Sequence, residues 1–197
     1  MSRWINALAV PGLLLLMSGC GAEADQPRPD PQAVVSSSPD RTLREATAQV
    51  EAAAPDASSA GRVRFPGPRA RLDLTGPGGA KAYPELGEPL AVVELVRGAL
   101  EVVSYGGTAL REVSTFRYET VIDVDMAVRA TPEDRRAAMR AFADRLGAPA
   151  FYADVWLDGE GRIRRVQVPV DKTRSRPGSR QRSKPELITV DFYDFGR

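Results

Sequence analysis

The chain carries one thiol and no imidazole: Cys20 is its sole cysteine, and histidine is absent. Those two facts remove most site chemistry. Without histidine the commonest general base and the commonest zinc ligand are gone. One cysteine cannot close a disulfide within the chain. No GxSxG, P-loop or CxxC spacing occurs. Asp and Glu total 26, and carboxylates alone can do acid–base work, but here they are scattered. The expectation is a non-enzyme with no metal and no cofactor. What remains is the Cys20 thiol, and its setting decides its use.

Cys20 closes an apolar run. Met1–Arg3 is a short charged start, and Trp4 to Met17 is mostly apolar, interrupted by Pro11 and Gly12. Small residues Ser18 and Gly19 follow. This is the layout of a secretory signal over residues 1–19. The run is too short to span a bilayer comfortably, since a spanning helix needs ~20 apolar residues. The residues MSGC (17–20) resemble a bacterial lipobox, with Met17 where Leu is usual. Cleavage before Cys20 would leave a diacylglycerol on its sulfur, with or without an acyl chain on its nitrogen. One acyl chain attaches marginally and two hold firmly. The expected location is the extracytoplasmic face of the cell membrane. The bland alternatives are a plain secretory peptide or a buried free thiol.

Composition adds bounds. The 197 residues allow one domain once signal and linker are removed, and 43% of them are apolar. Lys and Arg total 27 against 26 acids, so net charge gives no argument for nucleic acid.

The elements that could hold a ligand read as follows. Residues 20–41 are the candidate lipidated cysteine and a Pro-, Ser- and Asp-rich flexible linker. Thr42 and Glu45 form a capping box, and Leu43, Ala46, Val50 and Ala53–Ala54 give a helical stripe that Pro55 stops. One or two strands lie between Ser58 and Thr75. Residues 80–88 have no clear period. A short helix runs from Pro89 to Arg97, with Leu90, Val93 and Val96 as its stripe. Strands follow over 99–107 and 109–113. The clearest strand, residues 114–126, places Phe116, Tyr118, Thr120, Ile122 and Val124 on one face. Thr131 and Pro132 open a helix to Leu146, with Met139, Phe142, Ala143 and Leu146 on one side. Residues 151–158 and 162–170 form a hairpin about Asp158–Gly161. Phe151, Ala153, Val155 and Leu157 share one face, and Tyr152 and Trp156 the other. A polar connection spans 172–185, and a last strand covers 187–195. The sum is α+β: a curved antiparallel sheet with helices on its concave face. A bent apolar face only partly filled by helices leaves a cleft for a ligand.

Several segments resemble the actinobacterial LppX/LprA-F-G lipoprotein family, which has a LolA-like fold. They are DVWLDGEGRIRRV (154–166), TVDFYDFG (189–196), LDLTGPGGA (72–80) and AVVELVRGA (91–99). The resemblance implies a half-barrel sheet over residues 42–197, enclosing an apolar cavity that binds or carries a lipid or glycolipid without catalysis. Relatives usually have a further strand or two where this chain has only KAYPELGE (81–88), so the domain is expected to be shortened. Under this reading Phe116, Tyr118, Ile122, Met139, Phe142 and Val155 are candidate cavity-lining residues. Arg174, Arg176, Arg180 and Arg182, with Lys172 and Lys184, form a candidate patch for anionic headgroups, at ~1 kcal/mol per basic residue near a membrane. Arg162, Arg164 and Arg165 could extend it. The bland alternative is a solvated loop. Two rival functions stand beside lipid binding: an envelope sensory or regulatory lipoprotein acting through a protein partner, and a shortened relative with no cavity left.

Overall fold

A computed structural model of the chain describes residues 29–65, 74–75, 84–170 and 186–197. The strands are β1 (Thr47–Ala54), β2 (Ala57–Arg64), β3 (Leu74–Thr75), β4 (Ala99–Leu110), β5 (Val113–Asp123), β6 (Ala150–Asp158), β7 (Ile163–Pro169) and β8 (Leu187–Tyr193). They form one antiparallel sheet in the order β3-β2-β1-β8-β7-β6-β5-β4. The sheet is curved and does not close, so β3 and β4 remain edges. Register shifts at Leu100/Val103, Ser104/Gly106 and Trp156/Leu157 mark where bulges bend it.

The helices are α1 (Pro31–Leu43), α2 (Pro84–Gly87), α3 (Pro89–Leu95), α4 (Val124–Ala130) and α5 (Glu133–Leu146), with a 3-10 turn at Val96–Gly98 after α3. Among the described residues, no helix is long and apolar enough to cross a membrane. The inner face of the sheet meets the helices through alternating residues: Ala48, Val50 and Ala52 on β1, Phe151, Ala153, Val155 and Leu157 on β6, and Ile188, Val190 and Phe192 on β8 are all buried. This is the α+β arrangement read from the sequence.

Five local expectations need correction. Residues 31–41, read as linker, are helical and packed. Asp30 accepts from the Gln32 N–H and Pro31 takes the first position, an N-terminal arrangement that suits both residue types. Pro39 sits inside α1 and has no N–H for the Val35 carbonyl. The Ser38 hydroxyl donates to that carbonyl instead, at 2.7 Å. The helix expected from Thr42 does not form; residues 47–54 are β1, paired on both sides. The Ala-rich run has helical propensity, but two strand neighbours and alternating burial outweigh a preference of a few tenths of a kcal/mol per residue. The two strands expected at 99–107 and 109–113 are one strand, β4, whose bulges absorb the irregularity. The strand expected to reach Met126 ends at Asp123, whose carboxylate accepts from the Met126 N–H at 2.6 Å and opens α4. Residues 84–87, where no period was visible, form α2.

Two glycines fix how the helical layer sits. A Cβ on Gly98 would lie 2.1 Å from the Asp123 carbonyl oxygen, so only glycine lets the 3-10 turn abut the β5–α4 corner. Gly147 ends α5 in the left-handed conformation, at φ 67°.

Candidate functional site

The inner face carries the candidate site, and its cover is uneven. Over β6, β7 and β8 the cover is α2 and α3. Between them lies an enclosed space of about 10 Å³. The sheet lines it with Ile122, Phe151, Val166, Val168, Ile188 and Val190; the helices add Val92, Leu95, Val96 and the buried Glu85. A space of ~10 Å³ barely admits one water. The expectation of an acyl-sized cavity is therefore not met by this enclosed space among the described residues. Its walls are nonetheless apolar except for Glu85.

Helix α1 crosses the same face diagonally. At its start the Gln32 side-chain amide donates to the Ala99 carbonyl, where β4 begins. At its end the Thr42 hydroxyl accepts from the Ile163 N–H, where β7 begins, at 2.9 Å. The same hydroxyl donates to the Ser38 carbonyl at 2.8 Å. Arg41 donates to the Glu160 carbonyl at 3.2 Å. Asp40 pairs with Arg97 at 2.6 Å, and that hydrogen bond holds the Asp40 carboxyl below its ordinary range. Arg97 also pairs with Glu94, which in turn meets Arg135 of α5 at 3.1 Å. A network of charges thus ties α1, α3 and α5 together.

The strand register shows what the diagonal divides. Ala99, Ile122 and Phe151 align in one row at the closed corner. Gly107, Phe116, Leu157 and Ile163 align in another at the opposite end. Ser104 pairs with Tyr118 between them. On this second side of α1 the cover is incomplete: Phe116 is 46% exposed and Tyr118 is half-buried. Burial pushes the Tyr118 phenol up.

The candidate lining residues therefore separate. Ile122 borders the enclosed space. Met139, Phe142 and Val155 are buried in the closed core. Phe116 and Tyr118 lie on the partly covered strip. The lining from Val166, Val168, Ile188 and Val190 was not singled out as a site, although the alternation of β7 and β8 carried the signal. Cys20, Arg174, Arg176, Arg180 and Arg182 lie outside the described residues.

Arg162, Arg164 and Arg165 do not extend a free basic patch. Arg162 and Arg164 both pair with the buried Asp158, at 2.9 and 2.7 Å. Arg162 also reaches Glu45, which closes the α1–β1 corner onto the hairpin. Burial alone would raise the Asp158 carboxyl. The Arg162 N–H and the two guanidinium groups outweigh that and hold it low. Arg165 is bound by Asp191 at 2.7 Å.

The outer face is a ladder of charges and rings. Arg117, Trp156, Arg165, Asp191 and Glu51 align in one lateral row across β5, β6, β7, β8 and β1. Arg117 lies 5.0 Å from the Tyr105 ring and 5.6 Å from Trp156; Arg165 stands over Trp156 at 5.8 Å. The Trp156 ring is thus flanked by guanidinium groups, which supports packing as its role. A groove of about 520 Å³ on this face is bordered by Glu51 and Asp191 and floored by Ala53 and Ala60. Its charged rim suits no alkyl tail.

No protein-family model matches this chain, and no curated protein matches it in sequence. Among solved structures, the lipoprotein LppX of Mycobacterium tuberculosis aligns with a TM-score of 0.47 at 13% identity, over 84% of this chain and 94% of that one. LprF from Mycobacterium bovis aligns with a TM-score of 0.47 at 11% identity, over 85% and 93%.

Proposed function

We propose that this chain is a lipid-anchored envelope protein that binds a lipid or glycolipid non-covalently, without catalysis. The MSGC motif supports a diacylglycerol on Cys20 and a place on the extracytoplasmic face of the membrane. The observation that carries ligand binding is the inner face itself. Nine apolar side chains and one acid border its enclosed space, and the exposed Phe116 ring lies on the same face beyond α1. Each methylene transferred onto such a surface contributes about 0.8 kcal/mol. The basic run containing Arg174, Arg176, Arg180 and Arg182 would meet anionic headgroups. Because the enclosed space is small, binding must accompany an opening of the helical layer.

The test is native mass spectrometry of the purified full chain after exposure to lipid extracts, with uptake of a fluorescent fatty acid as a second measure. A bound lipid of discrete mass is expected. A chain that leaves both assays empty is no lipid binder.

A second reading, a regulatory lipoprotein acting through a protein partner, is favoured by one feature. Leu100, Val103 and Tyr105 are exposed on the edge strand β4, and the exposed Tyr152 of β6 stands in the row of Leu100 through Val121. Recovery of one stoichiometric membrane protein, with no lipid bound, would select it.

A further inference from the structure

The geometry points to a single-acyl-chain groove hidden beneath α1, formed when that helix leaves the sheet and joins the enclosed space to the Phe116–Tyr118 strip. This rests on the lipid-binding reading and names the site within it. Three observations carry it.

The two apolar areas lie on one face of one strand, and among the described residues α1 runs between them in the register. Ile122 borders the enclosed space and Phe116 is exposed, six residues apart on β5. That separation is about 20 Å along a strand. The line from Ala99 to Ile163 that α1 follows runs between them.

Second, α1 is held by polar groups as well as apolar ones. Its buried positions are Val35, Ser38, Pro39, Thr42 and Leu43. Only Val35 and Leu43 are large and aliphatic. By contrast α5 buries Met139, Phe142 and Leu146. The attachments at Gln32, Asp40 and Arg41 can exchange for water, and those at Thr42 do so once α1 lifts, whereas a buried aromatic ring gains nothing from water.

The third observation is topological. Among the described residues α1 continues into the domain only through residues 44–46, and it pairs with no strand. It can swing about that corner while every strand pairing stays intact. The chain N-terminal to α1 is the candidate tether from Cys20, so anchoring and opening would act on one helix.

The test uses the full chain in phosphatidylcholine vesicles with a photoreactive, diazirine-bearing fatty acid. After irradiation, labels are mapped by mass spectrometry. Labelling on both Phe116–Tyr118 and Val96–Ile122 is expected, with faster hydrogen exchange in α1 than in α5 when the fatty acid is present. The double variant Asp40→Ala/Thr42→Val should raise labelling at least fivefold, because a larger open fraction lowers the apparent dissociation constant in proportion. Phe116→Asp, an exposed change, should reduce it at least fivefold. Labelling of the inner face with α1 fully protected, and no response to the double variant, overturns the hidden groove alone. No labelling anywhere in the domain, in any variant, overturns the lipid reading and the groove with it.

Discussion

Helices α1 and α5 belong to one helical layer and are held in it by different means: α1 packs on β4, β6 and β7, whereas α5 packs on α2, α3 and α4. Helix α5 brings a stripe of Met139, Phe142 and Leu146, all buried, with Glu133, Asp134, Arg140, Asp144 and Arg145 exposed and Arg135 turned to Glu94. Helix α1 buries Ser38 and Thr42 as fully as Val35. It tolerates this because each buried hydroxyl is satisfied: Ser38 on the Val35 carbonyl, Thr42 on the Ser38 carbonyl and the Ile163 N–H. The first kind of cover is held by area removed from water. The second adds to Val35, Pro39 and Leu43 a few directional contacts, each worth ~1 kcal/mol net. A cover of the second kind can open without unfolding what it covers.

The sharpest way to break the contrast is to remove the α5 anchor. Phe142→Ala should cost about 4 kcal/mol, since the ring is fully buried and leaves a cavity. Urea denaturation should show the whole domain unfolding earlier in one transition. A loss confined to α5 amides in hydrogen exchange would make α5, too, a local cover.

Next in size is the knot on which the far end of α1 rests. Asp158→Ala removes the acid from Arg164 and leaves Arg162 only Glu45 and the exposed Glu160; their side chains are 12% and 17% exposed. Leaving two such cations without their shared acid should cost about 3 kcal/mol. The folded carboxyl titrates below its ordinary value. Its contribution is therefore present above about pH 4 and is lost as pH falls through the folded value. The stability of the variant should vary less with pH on the acid side, as read by denaturant midpoints across that range.

This difference between the helices also explains what the sequence disclosed. The stripe of α5 repeats at i, i+3, i+4 and i+7, so both its span and its buried face were readable. The same holds for β5 and for the β6–β7 hairpin, where alternation or a Gly-rich turn marks the element. Helix α1 was hidden because its buried face is written in Ser, Pro and Thr, residues that also compose linkers. Only the Asp30–Pro31 start was a local cue. β1 was hidden for the converse reason: an Ala-rich run keeps helical propensity, and only its partners β2 and β8 make it a strand. The enclosed space could not be sized at all from residues, because its volume depends on how closely α3 approaches the sheet. That approach depends on Gly98 admitting the Asp123 carbonyl.

Thr42→Val is the intermediate case. It preserves shape but leaves the buried Ile163 N–H without its acceptor. A loss of about 2 kcal/mol is expected. The distribution of the effect matters more than its size. Exchange should quicken in α1 and at the start of β7, while α5 amides slow or quicken only with global stability. Uniform acceleration would mean that α1 and α5 open together, and the contrast between them would fail.

The smallest effect should come from Asp40→Asn. Asp40 is 60% exposed, and its partner Arg97 keeps Glu94 after the change. With the acid in solvent and only Arg97 buried, such a pair contributes about 0.5 kcal/mol and is screened by salt. The depressed Asp40 carboxyl makes the contribution one that exists above about pH 4 and fades as pH falls through the folded value. Global stability should hardly move. Local exchange in α1 should respond instead: faster in the variant than in the native chain at neutral pH and low salt, and equal in both at high salt or in acid. If the variant lowered global stability by more than about 1 kcal/mol, well above the usual range for an exposed pair, Asp40 would belong to the core network of Glu94, Arg97 and Arg135. Helix α1 would then be fixed as firmly as α5, and a groove opening beneath it would have no hinge to open on.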